Sequence, residues 1–290
     1  MDRVAYLVNS TPDYYYMLPL HFLLVRRYAP FIEHLFLATE VPDHPICSEV
    51  ANKHGVTLIP LEQKDAGFLA SRAAALQQLS LSGKFLYVLP VQEDFLVDRT
   101  PDLGALAEAL TIMEDSHGLI ASARLMPCPG PRGPPMPSRP LWAGLTPTTD
   151  EYGFTFQATL WSLEACCAWY MGIMARLEEG WPAASTSPEQ RRHIEIRVNI
   201  AENADGQQFF WKFFKARRQA HIGWIRAGPW SNAVYLSPWP YRPTAIVQSR
   251  LEPWAAELAH REGVPLIKPA SVVPPDSVQE RGRGYSQVPM

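Results

Sequence analysis

Lys84 to Arg99 reads KFLYVLPVQEDFLVDR. Its first part, Phe85-Leu86-Tyr87-Val88-Leu89, is an uncharged run with aromatic and β-branched members, the pattern of a strand buried on both faces of a parallel sheet. The run stops at Pro90 and delivers Gln92-Glu93-Asp94 before the chain turns apolar again at Phe95. In open α/β sheets, ligands bind beyond the carboxyl ends of the strands. Two adjacent carboxylates at such a place suit a divalent cation, because hard cations take oxygen ligands and bridge to substrate phosphates. A solvated acidic turn after a core strand fits the same residues, and this stretch alone does not choose between them.

The flanking sequence alternates between strand and helix patterns. Val4 to Val8 reads as a buried strand, followed by the turn-rich Asn9-Ser10-Thr11-Pro12-Asp13. Leu20, Leu23, Leu24 and Arg27 then follow helical spacing, with Pro19 in the first turn. His34 to Thr39 is a second strand and Val56 to Leu61 a third, separated by a short helix that Gly55 closes. Gly67 to Leu79 is helical, with Phe68, Arg72, Leu76 and Leu79 near one face. After the acidic turn, Thr100-Pro101-Asp102 opens a helix as N-cap, proline and acid, striped by Leu103, Leu106, Leu110 and Met113. Leu119 to Leu125 is a further strand. Such units imply parallel strands joined by right-handed crossovers. The expected fold is therefore α/β, a mostly parallel central sheet with helices on both faces.

The second half is built differently, with additional helices and short strands. Pro127 to Pro147 holds eight prolines together with Gly130, Gly133 and Gly144, which excludes helix and central strand. It is expected to be a loop, either a lid or disordered. Phe154 to Trp161 alternates as a strand and Leu163 to Leu177 is helical. Ser187-Pro188-Glu189-Gln190 opens another helix, and Phe209 to Phe214 continues the helical region. Ile222 to Ile225, Ala233 to Leu236 and Thr244 to Val247 read as short strands. One domain is expected over residues 1–267, with halves at 1–125 and 126–267, and a flexible tail over 268–290.

Composition narrows the classes of function. A chain 47% hydrophobic and 19% charged has ample core material, and a net charge of −3 argues against a nucleic-acid partner. It offers no basic membrane-binding face either. The N-terminus lacks a secretory pattern. Met17 to Val25 is interrupted by His21 and ended by Arg26-Arg27, short of the ~20 residues a bilayer span needs. A cytoplasmic protein with no transmembrane segment is expected. Cys47, Cys128, Cys166 and Cys167 lack metal-site or disulfide spacing and read as reduced thiols. The glycine fingerprint of dinucleotide enzymes, the P-loop, the zincin helix motif and the G-x-S-x-G elbow are all missing.

Several residues carry possible chemistry. Arg72 lies about two turns into its helix, on the ligand side of the sheet, between Phe68 and Leu76. A guanidinium there suits a diphosphate or a nucleotide carbonyl; a salt bridge to Asp65 or Glu93 is the plain alternative. Ser71 adjoins it. Ser10, Thr11 and Asp13 follow the first strand, as contacts to a nucleotide or as simple turn formers. Glu202 and Asp205, where helical patterning meets turn chemistry, suit a general base towards an alcohol, or helix capping. His193 and His221 are possible metal ligands, though a lone His is more often structural. All nine tryptophans lie from Trp142 to Trp254. Trp142, Trp161, Trp230 and Trp239 are candidates to line a sugar site, with ordinary core as the alternative.

Taken in order, Ser10-Thr11 after the first strand, Ser71-Arg72 on the helix before the acidic strand, and Gln92-Glu93-Asp94 at its end resemble a glycosyltransferase of the A-type fold. The resemblance spans residues 1 to 125 in pattern and is architectural beyond. It implies that 1–125 binds a nucleotide-sugar and 126–267 binds the acceptor. It also implies Asp94 as ligand of Mn²⁺ or Mg²⁺, with Glu93 assisting or contacting the donor. Ser10, Thr11, Ser71, Arg72, Gln92 and Glu93 would bind the donor, by default a UDP-sugar, and Glu202 or Asp205 would be the base if the reaction inverts. The implied partners are a nucleotide-sugar and a glycan or other hydroxyl acceptor. Gln92 departs from the family pattern, standing where a strict D-x-D motif has its first Asp. Two rivals remain. A sugar nucleotidyltransferase generally carries a glycine-rich basic loop after the first strand, which Asn9 to Asp13 is not. A non-catalytic sugar- or nucleotide-binding protein of the same fold needs no such motif.

Overall fold

In a computed structural model, which describes residues 1–62, 67–127, 130–150, 152–179, 201–202, 204–225, 234–242, 244–247 and 250–266, the uncharged runs become strands. β1 (Val4–Ser10), β2 (His34–Thr39), β3 (Val56–Pro60) and β4 (Tyr87–Gln92) lie side by side in parallel. Between them run a 3₁₀ turn (Pro12–Met17), α1 (Leu18–Tyr28), α2 (Pro45–His54) and α3 (Phe68–Leu81). Gly55 closes α2 in the left-handed region, with φ of 62°. After β4 come α4 (Leu103–Asp115), β5 (Ile120–Arg124), β6 (Pro135–Met136), β7 (Arg139–Leu145), β8 (Thr159–Ser162) and α5 (Leu163–Glu178). Then follow α6 (Ala204–Ala216), β9 (Ala220–Trp224), the small pair β10 (Ile246–Val247) and β11 (Arg250–Leu251), and α7 (Pro253–Glu262).

The main sheet has the order β3-β2-β1-β4-β8-β5-β9-β7-β6. Its pairings make β8 and β7 run against the other strands, so the sheet is mostly parallel. Helices cover both faces, and the alternation of β1 shows how. Val4, Tyr6 and Val8 pack into a core with residues of α1, α2 and α4. Ala5 and Leu7 face the other way, into a core with α3, α5 and α6. A smaller cluster joins Tyr16, Met17 and Leu20 to Ala255 and Leu258 of α7. Among the described residues no helix is long and apolar enough to cross a membrane.

Several expectations need correction. The central strand begins at Tyr87 rather than Phe85, and Leu86 is exposed. The Phe154–Trp161 strand shrinks to four residues because the Gln207 amide takes both the N–H and the C=O of Phe154, at 3.1 and 2.9 Å. Asp102, not Thr100, is the N-cap of α4, its Oδ1 accepting from Ala105 N at 3.0 Å. That shift leaves Leu103 exposed, off the apolar stripe. The Pro-rich stretch is no bare loop: it contains the β6–β7 hairpin that ends the sheet. Pro135 is tolerated in β6 because the outermost strand needs no donor on its free side, and Trp142 anchors β7 against Trp224, with ring centroids 5.3 Å apart. Val234 and Tyr235 are helical rather than extended. The helix opening at Ser187 and the tail from 268 lie outside the described residues.

Cys47, Cys166 and Cys167 are free thiols, and Cys128 lies outside the described residues. One glycine shows how tightly α6 packs on the segment before β8. A Cβ on Gly153 would sit 2.4 Å from Trp211 Cζ2 and 2.8 Å from Phe210 Cε1. Gly153→Ala is therefore expected to destabilise the fold by about 1–3 kcal/mol through overpacking, read as a lower melting temperature. An unchanged melting temperature would show that the aromatic wall yields.

Candidate active site

The carboxyl ends of β1 and β4 lie together, with Asn9 directly opposite Gln92. The face alternation of β1 puts Asn9 on the α3 side. The turn after β4 closes with Phe95 N donating to Gln92 O at 3.2 Å. Arg72 reaches this turn from α3: its Nη2 donates to Val91 O at 2.9 Å, and the guanidinium lies over the Phe68 ring at 5.1 Å. Arg72 is buried and close enough to Glu93 for their charges to interact. Asp65, the other partner weighed for it, lies outside the described residues. Asp94 Oδ2 accepts from Ile246 N at 3.4 Å.

What marks the place is a concentration of buried polar atoms without hydrogen-bond partners among the described residues. Asn9 Oδ1 and Nδ2, Ser10 Oγ, Tyr16 OH, Asp94 Oδ1 and Arg72 Nε are all in this condition. An unsatisfied buried polar group costs about 1–3 kcal/mol, and native chains keep few of them. A set of six atoms at the carboxyl edge of a parallel sheet points to a ligand that satisfies them. Electrostatics agree. Burial and the neighbouring Asp94 push Glu93 well above the ordinary carboxylate range, with Arg72 pulling the other way. Burial does the same to Asp94. Burial also raises Tyr16, to about 12, with Tyr14 and the two acids adding to it, so its hydroxyl keeps its proton.

Two adjacent carboxylates that resist ionising together, one with a free buried oxygen, fit a divalent cation. Among the described residues no cluster of three or more His, Cys, Asp or Glu could form a protein cage. The fit is thus to Mg²⁺-like binding, through one or two carboxylates, waters and substrate phosphates.

Beside Arg72 is a cavity of about 10 Å³, room for one water, walled by Phe68, Pro90, Trp161, Tyr170 and Phe154 to Gln157. Glu202 touches the same wall, its Oε1 accepting from Phe156 N, and burial raises its pKa. Asp205 stands exposed in the first turn of α6, and no described contact joins it to the acidic turn. Ser10 and Ser71 are buried, Gln92 partly so, while Thr11 is exposed and caps nothing with its side chain. Asp13 is exposed as well.

His221 sits in the core. Its Nδ1 pairs with Ser122 Oγ at 2.9 Å, its ring packs on Phe214 and Phe210, and burial lowers it to about 3. His193 and Trp230 lie outside the described residues. Trp142 and Trp239 are fully buried, and Trp161 borders the cavity.

Sequence reasoning missed three neighbours of the turn. Asn9 read as turn former, and Tyr16 was one of three consecutive tyrosines. His21 read only as an interruption of an apolar stretch. That interruption was the available signal: His21 is buried, its Nδ1 donates to Glu93 O at 3.0 Å, and its Nε2 meets Tyr6 OH at 2.9 Å.

No protein-family model matches the chain, and no curated protein does. Solved structures do overlap it in part. A cytidylyltransferase from Leptospira borgpetersenii is similar over 94% of this chain and 100% of its own, at 11% identity and a TM-score of 0.43. Residues 1–349 of S. aureus TarS are similar over 78% of this chain and 59% of that one, at 16% identity and a TM-score of 0.42. A mannose-1-phosphate geranyltransferase from Thermus thermophilus covers 76% and 74%, at 16% identity and a TM-score of 0.40. These are partial overlaps of backbone with little shared sequence.

Proposed function

We propose that this chain is a metal-dependent glycosyltransferase, moving a sugar from a nucleoside-diphosphate donor to an acceptor hydroxyl. The observation that carries the reading is the set of unpartnered buried groups gathered around the acidic turn. Asp94 would hold Mn²⁺ or Mg²⁺ and Glu93 would assist. The cation, when bound, supplies Lewis-acid stabilisation of the leaving diphosphate. Asn9, Ser10 and Gln92 line the same edge with hydrogen-bonding groups for the donor, and Ser71, beside Arg72, and the exposed Thr11 would join them. Arg72 brings a fixed positive charge to the place where negative charge develops, in a site from which water is largely excluded. Glu202 is the better placed of the two candidate bases. Its carboxylate is held by the Phe156 amide, and its raised pKa improves its match to an acceptor proton near neutral pH.

A UDP-sugar is the default donor. The loop after β1 favours sugar transfer over nucleotidyl transfer, since Thr11, Pro12 and Asp13 are exposed and neither glycine-rich nor basic. The test is nucleoside diphosphate release from a panel of nucleotide-sugars, with and without Mn²⁺. Pyrophosphate release from a nucleoside triphosphate and a sugar phosphate would instead mark a nucleotidyltransferase. Binding without either release would mark a non-catalytic relative. In the active protein Glu202→Gln is expected to slow transfer about 100-fold or more while UDP binding stays close to wild type. Unimpaired transfer would move the base elsewhere, to Asp205 first.

A further inference from the structure

We propose that His21 is a positioning residue that fixes the acidic turn, with Tyr6 behind it setting the orientation of its ring. The inference rests on the functional reading above and assigns a role to two residues that reading leaves unused.

The backbone of the turn is held carbonyl by carbonyl. Val91 O accepts from Arg72 Nη2 at 2.9 Å, Gln92 O from Phe95 N at 3.2 Å, Glu93 O from His21 Nδ1 at 3.0 Å and Asp94 O from Ala245 N at 3.0 Å. The four donors come from α3, the turn itself, α1 and the segment before β10. The carbonyl between the two carboxylates, Glu93 O, is thus tied through a side chain. A carbonyl only accepts, so the proton of a neutral imidazole belongs on Nδ1. Nε2 is then an acceptor and takes the Tyr6 hydroxyl at 2.9 Å. Tyr6 is itself fully buried in β1, with the Trp239 ring against its own at 5.5 Å. The chain Tyr6–His21–Glu93 therefore runs from the sheet's interior, through α1, to the peptide that joins the carboxylates. Groups of this kind, one step behind the ligands, hold them at the geometry a cation requires.

Two substitutions separate this role from plain core packing. His21→Asn places an amide nitrogen where Nδ1 stands and keeps the donor to Glu93 O. His21→Gln places its terminal amide near the position of Nε2, keeping a partner for Tyr6 and abandoning Glu93. Each leaves one buried polar group unpaired and removes the ring, so both are expected to lower the melting temperature comparably. Dissociation constants for Mn²⁺ alone, and for UDP in the presence of Mn²⁺, are then measured by calorimetry. His21→Asn is expected to stay within about threefold of wild type, and His21→Gln to lose about tenfold or more. Equal losses in both variants, or none in either, would overturn the positioning role. A wild-type protein that binds neither Mn²⁺ nor UDP would instead bring down the functional reading, and this role with it. Should His21→Gln not fold, ¹⁵N resonances of His21 in the wild-type protein decide. The Nδ1-protonated neutral form, shifting when Mg²⁺ and UDP are added, supports the role; an Nε2-protonated ring overturns it.

Discussion

Replacing Asp94 with asparagine is expected to abolish Mn²⁺-dependent binding of UDP while leaving the fold intact. The substitution preserves shape, and the amide oxygen can still accept from Ile246 N, which now meets Oδ2 at 3.4 Å. What disappears is one negative charge and the hard oxygen at Oδ1 that has no hydrogen-bond partner among the described residues. A cation held by only one or two carboxylates has little else from the chain to rely on. Affinity for UDP in the presence of Mn²⁺ should fall about 100-fold or more, beyond the range caused by altering the groups behind a ligand. Stability should move the other way or not at all. Glu93 and Asp94 are both held above their ordinary pKa by burial, and the charge on Asp94 raises Glu93 further. Asp94→Asn relieves that conflict, so the melting temperature without metal should equal or exceed that of wild type. Calorimetric titration of UDP with Mn²⁺ reads the first effect and thermal denaturation the second. Unchanged UDP affinity would remove Asp94 from the site. A collapsed fold would recast the carboxylate as structural.

The division between what was legible and what was not follows from the range of the forces involved. β1 to β4 show in the sequence because a parallel strand covered on both faces leaves an uncharged run, and turn residues punctuate each one. The acidic turn and Arg72 show for a related reason: charge placed at the end of such a run, or between apolar neighbours on a helix, has no packing explanation. The insertion of β8 between β4 and β5 left no such trace. It depends on pairing between segments far apart in the chain and on the Gln207 amide that claims Phe154. Glu202 and Asp205 look alike in the sequence, three residues apart. Only the contact of Phe156 N with Glu202 sets it apart from Asp205, which is exposed on the first turn of α6. Tyr14, Tyr15 and Tyr16 are likewise equivalent until the 3₁₀ turn aims Tyr16 at the acids.

Arg72→Met is expected to separate activity from stability most widely. The side chain is 2% exposed, yet its described tethers are few. Nη2 bonds Val91 O, the guanidinium faces Phe68, Glu93 supplies some compensating charge, and Nε has no partner. Burial is the dominant pressure on this group, pulling its pKa below the ordinary arginine value. Methionine fills much of the same volume without a charge to desolvate. Losing the bond to Val91 O costs about 1–3 kcal/mol, and removing an incompletely compensated buried charge offsets much of that. The melting temperature should therefore stay within a few degrees of wild type. Transfer should not survive: removing one preorganised electrostatic partner of a developing charge lowers turnover roughly 100- to 1,000-fold. Arg72→Lys retains a point charge but not the planar fork, and should fall between the two. Turnover with saturating donor and Mn²⁺, set beside thermal denaturation of the same preparations, makes the comparison. Wild-type turnover in Arg72→Met would place the diphosphate away from α3. Outright unfolding would make the guanidinium a strut for β4, since a group kept for its ligand weighs against the free protein and its removal should cost the empty fold little.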